Sequence, residues 1–430
     1  MASLILFGGM FLLIILQVPV GVAIGGASLA AVLENGRLSA SYVAQSMITG
    51  VDSFPIMAVP LFVLAGELMG GGGISKRLLN VFNEFFGRIT GGLAIVTVVV
   101  CMFFAAISGS GPATVAAVGS MVYPTLIEKG YSKPFSLALI ASAGAIGVII
   151  PPSIPMVMYG VSTGTSITSL FMGGFLPGIL IGLALIFWCY FYCKKKGWKG
   201  EQSKFSWLRA LKTVWEAKWA LINPVIILGG IYAGIFTPTE AAGVAAVYAL
   251  IVGVFVYKEL DWKGLLKLLE NSCITTATIM VILGCASAFT KVLTIEQIPA
   301  MVTEAMLAIT SSKFVILLLI TILLLIVGCV MDTTPAILVL APILLPVVES
   351  FGVHPVHFGI AMVVNLAIGF LTPPLGVNLF VAARVGNEKV DTVIKGIVPF
   401  IIVMVACLLL ITYFEDISML LPNLLEKAGR

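Results

Sequence analysis

Charge is what this chain has least of: Asp, Glu, Lys and Arg make up 10% of its 430 residues, against 60% hydrophobic residues. A water-soluble surface needs about 25% charge, so a soluble globular fold is excluded. The long apolar runs and a mean hydropathy of +1.14 describe an all-α polytopic membrane protein embedded in a lipid bilayer, because helices satisfy their own backbone groups in lipid. Histidine is nearly absent too. The two present, His354 and His357, fall in a predicted connector, which leaves no histidine for a proton relay inside a span. A Walker-type phosphate loop is missing, since Gly109-Ser110-Gly111 is not followed by Gly-Lys-Ser/Thr. The energy source is therefore expected to be an ion gradient. The seven cysteines, an odd number lying mostly in apolar runs, argue against a disulfide framework. Cys189 and Cys193 lie one helical turn apart without a His or carboxylate spaced to complete a zinc site, so no transition metal is expected. Residues 1–16 lack a basic n-region and a small-residue cleavage site, and are read as retained membrane structure.

What charge there is clusters. Residues 194–218 hold seven Lys and Arg209 against Glu201 and Glu216, a net +6 from eight bases and two acids. Short basic segments between spans face the cytoplasm, so 194–218 is expected to be a basic cytoplasmic linker. One loop is far too little basic surface for nucleic acid.

The linker joins two copies of one pattern. Adding 222 to a residue number maps Pro124, Gly130, Gly147, Pro151, Pro152, Gly164, Gly174 and Pro177 onto Pro346, Gly352, Gly369, Pro373, Pro374, Gly386, Gly396 and Pro399. Residues 1–193 therefore read as repeat 1 and 219–430 as repeat 2. In repeat 1 the apolar run 92–127 is broken around Pro112 and 134–160 at Pro151; in repeat 2, 314–348 is broken around Pro335 and 354–383 at Pro373. A crossing takes about 20 residues, so 92–127 is either two crossings or a re-entrant helical hairpin. Ser108-Gly-Ser-Gly-Pro112 favours the hairpin, because five small or helix-breaking residues would leave backbone groups unpaired in lipid unless protein or a water-filled cavity receives them. One hairpin plus about five crossings per repeat, an odd count, makes the repeats inverted in topology. A cytoplasmic linker then puts both chain termini on the periplasmic side. Residues 2–33, interrupted near Pro19, form two short spans or one tilted span, and the second option would move the N-terminus inside.

Paired interrupted helices in two halves point to the binding site of a secondary transporter. Helix ends at mid-membrane offer carbonyls to cations and N–H groups to carboxylates. Repeat 1 supplies Ser108, Ser110 and Pro112 at the hairpin tip and Gly147, Ile150 and Ser153 at the break. Repeat 2 supplies Gly328, Asp332, Thr333 and Thr334, and Gly369 and Thr372, with Asn365 and Asn378 flanking the break. Such oxygen-rich, nitrogen-poor clusters suit Na⁺. The expected sodium ligands are Ser108, Ser110, Gly147 and Ile150 for one ion and Gly328, Asp332, Gly369 and Thr372 for another, so at least two ions. Substrate is expected at Ser108, Ser110, Pro112, Ser153, Thr333 and Asn378. Asp332 is an acid in an apolar run, which marks function, and it is also placed to cap the helix that follows. Glu67 and Glu240, near span ends, are read as interfacial or packing groups. No catalytic residue is assigned. A serine hydrolase built on Gly109-Ser110-Gly111 would need a general base on a neighbouring helix, and both histidines lie elsewhere. An anion channel is disfavoured because half-membrane hairpins suit alternating access.

These residues resemble, in order and spacing along essentially the whole chain, the large membrane subunit of tripartite ATP-independent periplasmic (TRAP) transporters, within the divalent-anion/sodium symporter superfamily. The carriers are Gln17-Val-Pro-Val-Gly21, Pro60-Leu-Phe-Val-Leu-Ala-Gly66, Ser108-Gly-Ser-Gly-Pro-Ala-Thr114, Ile150-Pro-Pro-Ser153, Thr237-Pro-Thr-Glu-Ala-Ala-Gly243, Met331-Asp-Thr-Thr-Pro335 and Leu371-Thr-Pro-Pro-Leu-Gly376. The resemblance implies sodium-coupled import of an organic acid, often a C4-dicarboxylate or sialic acid, across a bacterial or archaeal inner membrane. It also implies a soluble periplasmic binding protein that delivers the acid and a separate small membrane subunit of about four helices. The implied mechanism is an elevator, in which hairpins and broken helices slide against a scaffold. A self-sufficient sodium/carboxylate symporter of the same superfamily is the alternative.

Overall fold

The computed structural model describes residues 4–36, 38–200 and 205–427, and is helical throughout, with no strand among them. Expectations about the two chain ends and the middle of the linker fall partly on 1–3, 201–204 and 428–430, outside the described residues. In chain order the first half consists of α1 (Ile5–Ile15), α2 (Val20–Asn35), α3 (Ala40–Val51), α4 (Phe54–Gly71), α5 (Ile74–Phe86), α6 (Gly92–Ser108), α7 (Gly111–Glu128), α8 (Lys133–Val148), α9 (Ile154–Thr163) and α10 (Ile167–Lys196). The second half consists of α11 (Trp207–Tyr232), α12 (Pro238–Val256), α13 (Trp262–Ile295), α14 (Ile298–Ile309), α15 (Lys313–Val330), α16 (Thr333–Ser350), α17 (Pro355–Gly369), α18 (Val377–Gly386), α19 (Val390–Tyr413) and α20 (Asp416–Lys427). Among the described residues, eight helices are long and apolar enough to cross a membrane.

The bounds of α7 (Gly111–Glu128) shifted by 222 are those of α16 (Thr333–Ser350), and the start of α8 at Lys133 shifts onto that of α17 at Pro355. The run expected as one or two spans, 2–33, holds two helices among its described residues, parted at Gln17, whose φ is 63°, and Pro19. The basic segment is shorter as a loop than its charge suggested. α10 runs on through Lys196 and α11 begins at Trp207, because Trp207, Leu208, Leu211 and Trp215 recur at helical spacing and all are exposed on the outer surface. Aromatic and apolar side chains on one stripe with Arg209 and Lys212 between them suit a helix entering the bilayer interface.

Two groups of helices divide the molecule. α4 packs on α12 and α13, while α13 also packs on α2 and α3, and α5 on α11. Beside this frame lies a second group in which α7 packs on α8, α8 on α19, α15 on α17 and α9 on α16. α5 turns only one side inward. Its buried residues Ile74, Ser75, Leu78, Val81 and Phe82 follow the helical repeat, an amphipathic stripe. The base of α6 and α7 lies at the basic end: the Gly91 N–H donates to the Trp198 carbonyl at 3.1 Å, and Tyr131 and Trp198 have ring centroids 4.7 Å apart. The base of α15 and α16 lies at the other end of α10, where the Tyr159 hydroxyl donates to the Pro355 carbonyl at 2.9 Å.

A cavity where two helical tips meet

α6 stops at Ser108 because Gly109 takes a left-handed conformation, φ +60°, its N–H bonding back to the Ala105 carbonyl at 3.2 Å. Glycine adopts this without strain and commonly ends helices. A Cβ there would lie 2.8 Å from the Pro152 carbonyl oxygen, so no side chain fits. Ser110 is extended and Pro112 sits in the first turn of α7, where a missing N–H costs nothing. The tip is thus two residues long. α15 and α16 are joined by Met331 and Asp332, and Asp332 caps α16 by accepting from the Thr333 N–H at 2.6 Å.

Each tip is tied to a broken helix beside it. The Ile154 N–H at the start of α9 donates to the Gly109 carbonyl at 3.3 Å, and the Leu375 N–H donates to the Cys329 carbonyl at 3.1 Å. Gly147 faces the first tip so closely that a Cβ would lie 2.5 Å from Thr114 Oγ1 and 2.7 Å from the Ser110 carbonyl oxygen. Gly369 faces the backbone of Gly328 in the same way. Asn378 crosses between the halves: its Nδ2 donates to the Ala141 carbonyl at 3.2 Å, and its buried Oδ1 has no partner.

A cavity of about 340 Å³ opens between the tips and the frame. The tips contribute Ser108, Gly109, Ser110, Pro112, Asp332, Thr333 and Thr334, and the frame contributes Gly66 and Glu67 from α4 and Thr275 and Thr278 from α13. Of the expected ligands, Ser108, Ser110, Pro112, Asp332 and Thr333 are brought together here. Ser108 Oγ lies 2.9 Å from Thr114 Oγ1 and 3.3 Å from the Ser110 carbonyl, and Thr114 Oγ1 donates to that carbonyl at 2.8 Å. Beside Gly147 this cluster offers oxygen without nitrogen side chains, a donor set that fits a hard cation.

The other expected residues stand off the cavity. Ser153 caps α9, its hydroxyl donating to the Val148 carbonyl at 2.6 Å and accepting from the Met156 N–H at 3.4 Å. Ile150 buries its side chain against Gly178 of α10. Thr372 donates to the Ile368 carbonyl at 3.2 Å. Gly147, Gly328 and Gly369 serve close backbone contact, and Asn378 is buried behind the first tip, with Gly111 beside it. Asn365 donates from Nδ2 to the Thr321 carbonyl at 3.1 Å and leaves a buried Oδ1 unpartnered. Glu240 forms a capping box with Thr237 at the start of α12. His357 is buried between Ser418 Oγ at 2.6 Å and the Thr412 carbonyl at 3.1 Å.

Glu67 is the residue that sequence reasoning placed otherwise: it lines the cavity. The signal was present, since Glu67 is an acid inside an apolar run just as Asp332 is. Thr275 and Thr278 had no such signal, lying in a helix without Gly or Pro punctuation near them.

Among the described residues no Lys, Arg or His lines the cavity, so two carboxylates face it without a basic side chain. What can hold an anion here are the N–H groups at the start of α7, where the helix dipole is positive, together with hydroxyls of Ser and Thr; the first N–H of α16, that of Thr333, is already bonded to the Asp332 carboxylate.

The family model described as the tripartite ATP-independent periplasmic transporter, DctM component, matches residues 7–417. The chain is 52% identical over 415 residues to the isethionate TRAP transporter permease protein DctMQ of Oleidesulfovibrio alaskensis, covering 96% of this chain and 65% of that longer protein. It is 38% identical over 439 residues to the C4-dicarboxylate TRAP transporter large permease protein DctM of Rhodobacter capsulatus, covering 99% and 100% of the two chains. It is also 38% identical over 426 residues to the sialic acid TRAP transporter large permease protein SiaM of Vibrio cholerae, covering 99% and 98%. These relatives are named as permeases, not enzymes. In fold the chain is similar to the crystal structure of the Alcanivorax borkumensis YdaH transporter, with a TM-score of 0.59 at 16% identity over 87% of this chain and 88% of that one.

Proposed function

Because this chain belongs to the family of large permease components of TRAP transporters, we propose that it imports an organic acid across a bacterial or archaeal inner membrane, driven by sodium, as the channelling subunit of a three-part system. The acid is of the type named for its relatives: isethionate, a C4-dicarboxylate or sialic acid. A soluble periplasmic binding protein delivers it, and a small membrane subunit accompanies the chain. The observation that carries this reading is the cavity in which both tips, one from each half, face a common frame.

The two halves act as inverted repeats, a reading supported by the matched bounds at an offset of 222 and by hairpin bases at opposite ends of α10. Hairpins and broken helices then move as one body against the frame, in an elevator. Support comes from the bonds that tie each tip to its break and from Asn378 reaching across to α8. Sodium travels with the acid at two junctions: Ser108 and Ser110 with the backbone near Gly147 and Ile150, and Asp332 with the backbone near Gly328, Gly369 and Thr372. A cation beside Asp332 offsets a carboxylate that has no basic partner in the cavity wall.

The test is uptake of radiolabelled acid into proteoliposomes holding this chain and a small subunit, with loaded binding protein outside. Uptake is expected only with an inward sodium gradient and all parts present. Equal uptake without sodium would refute the coupling, and saturable uptake by this chain alone would favour a self-sufficient symporter.

A further inference from the structure

Which acid the cavity suits follows from one side chain, given that the cavity is where the acid binds. Asp332 has a task in that reading, as cap of α16 and cation ligand. Glu67 has none. It is half-buried in α4, on the frame side of the seam, and has neither a hydrogen bond nor a cationic partner among the described residues. A carboxylate left so in an apolar helix is costly, and when ionised it only accepts hydrogen bonds. The frame wall also presents Thr275 and Thr278 from α13. The cavity therefore has unlike walls. The hairpin wall offers N–H donors at the start of α7, the start of α16 being taken by its own cap Asp332, and the frame wall offers an anionic acceptor.

We infer that Glu67 is a selectivity residue, and that the cargo is a small acid with one anionic group and a hydrogen-bond-donating tail, hydroxyl or ammonium, rather than a dicarboxylate. The anionic group takes the start of α7, and the tail donates to Glu67. A second carboxylate in the tail's place would meet a like charge with no basic side chain to offset it, which disfavours the dianion. A tail without a donor would leave Glu67 unpaired, the kind of loss that lets a polar site reject an analogue strongly.

Direct binding tests this without the binding protein's own preference. The full chain, purified from membranes in sodium-containing detergent, is titrated in thermal unfolding with four probes: 2-hydroxyethanesulfonate, taurine, ethanesulfonate and succinate. Ligands that bind the folded state raise the midpoint. Hydroxyethanesulfonate or taurine is expected to act at concentrations at least about tenfold below ethanesulfonate and succinate, the better of the two identifying the tail. In Glu67→Gln the margin over succinate is expected to shrink by about tenfold. Succinate or ethanesulfonate matching the donor-bearing probes in the unsubstituted chain overturns the inference without need of any variant, as does an unchanged margin in a folded Glu67→Gln. Sodium-driven uptake of some acid alongside that result leaves the transport reading standing; failure of all uptake, with no probe binding, removes both.

Discussion

Two serines with the same sequence credentials have different work. Ser108 ends α6 with its hydroxyl at the cavity, in contact with Thr114, whereas Ser153 spends its hydroxyl on capping α9. Ser108→Ala and Asp332→Asn are expected to lower sodium-dependent uptake by about tenfold or more, equivalent to about 1.4 kcal/mol, with normal membrane insertion. Ser153→Ala is expected to cost about 0.5–2 kcal/mol of stability, as lost helix caps do, while the sodium concentration for half-maximal uptake stays put. Uptake at varied sodium, run beside thermal unfolding, separates the two. Equal transport defects in both serine variants would dissolve the distinction. From sequence alone the serines could not be told apart, because a hydroxyl next to a helix break is equally suited to a ligand and to a cap. Only the direction of the hydroxyl, fixed by the Val148 carbonyl, decides it.

At the scale of helices, Gly and Pro made the hairpins and breaks legible. The runs expected as hairpins, 92–127 and 314–348, hold two helices each, Gly92–Ser108 with Gly111–Glu128 and Lys313–Val330 with Thr333–Ser350, and Pro151 and Pro373 fall between α8 and α9 and between α17 and α18. Short helices of mixed polarity were not legible. α3, α5 and α20 carry too few apolar residues in a row to announce a span. The contact of α4 with the first tip was equally hidden. A Cβ on Gly66 would lie 3.2 Å from Ser108 Cα, so frame and hairpin touch backbone to backbone at the cavity. Gly66→Val, which adds bulk at that seam, is expected to cut the uptake rate by about tenfold while the protein still binds its acid, as a jammed slide requires. Binding lost in proportion to rate would mean that the substitution reshapes the cavity instead.

For the whole molecule, the arrangement of hairpin bases sets a topology that labelling can read. Cysteines placed at Lys129 and at Glu349, both exposed at hairpin bases, are expected to react with an impermeant maleimide from opposite sides of the membrane in a cysteine-depleted background. Reaction from one side only would abolish the inverted arrangement of the halves and, with it, the pairing of the sodium junctions. The 222-residue offset was readable because glycine and proline are held in place by backbone geometry, while the intervening apolar residues are free to exchange. α10, packed on α6 and α20, runs 30 residues from Ile167 to Lys196, about 45 Å at helical rise, against a hydrocarbon slab of about 30 Å. Such an excess is absorbed by tilt or by local deformation of the bilayer, at a cost that grows with mismatch. In the elevator proposed above, a helix this long packed on the first hairpin would carry its mismatch through the stroke, so the acyl-chain length of the host lipid would enter the height of the barrier between inward and outward states.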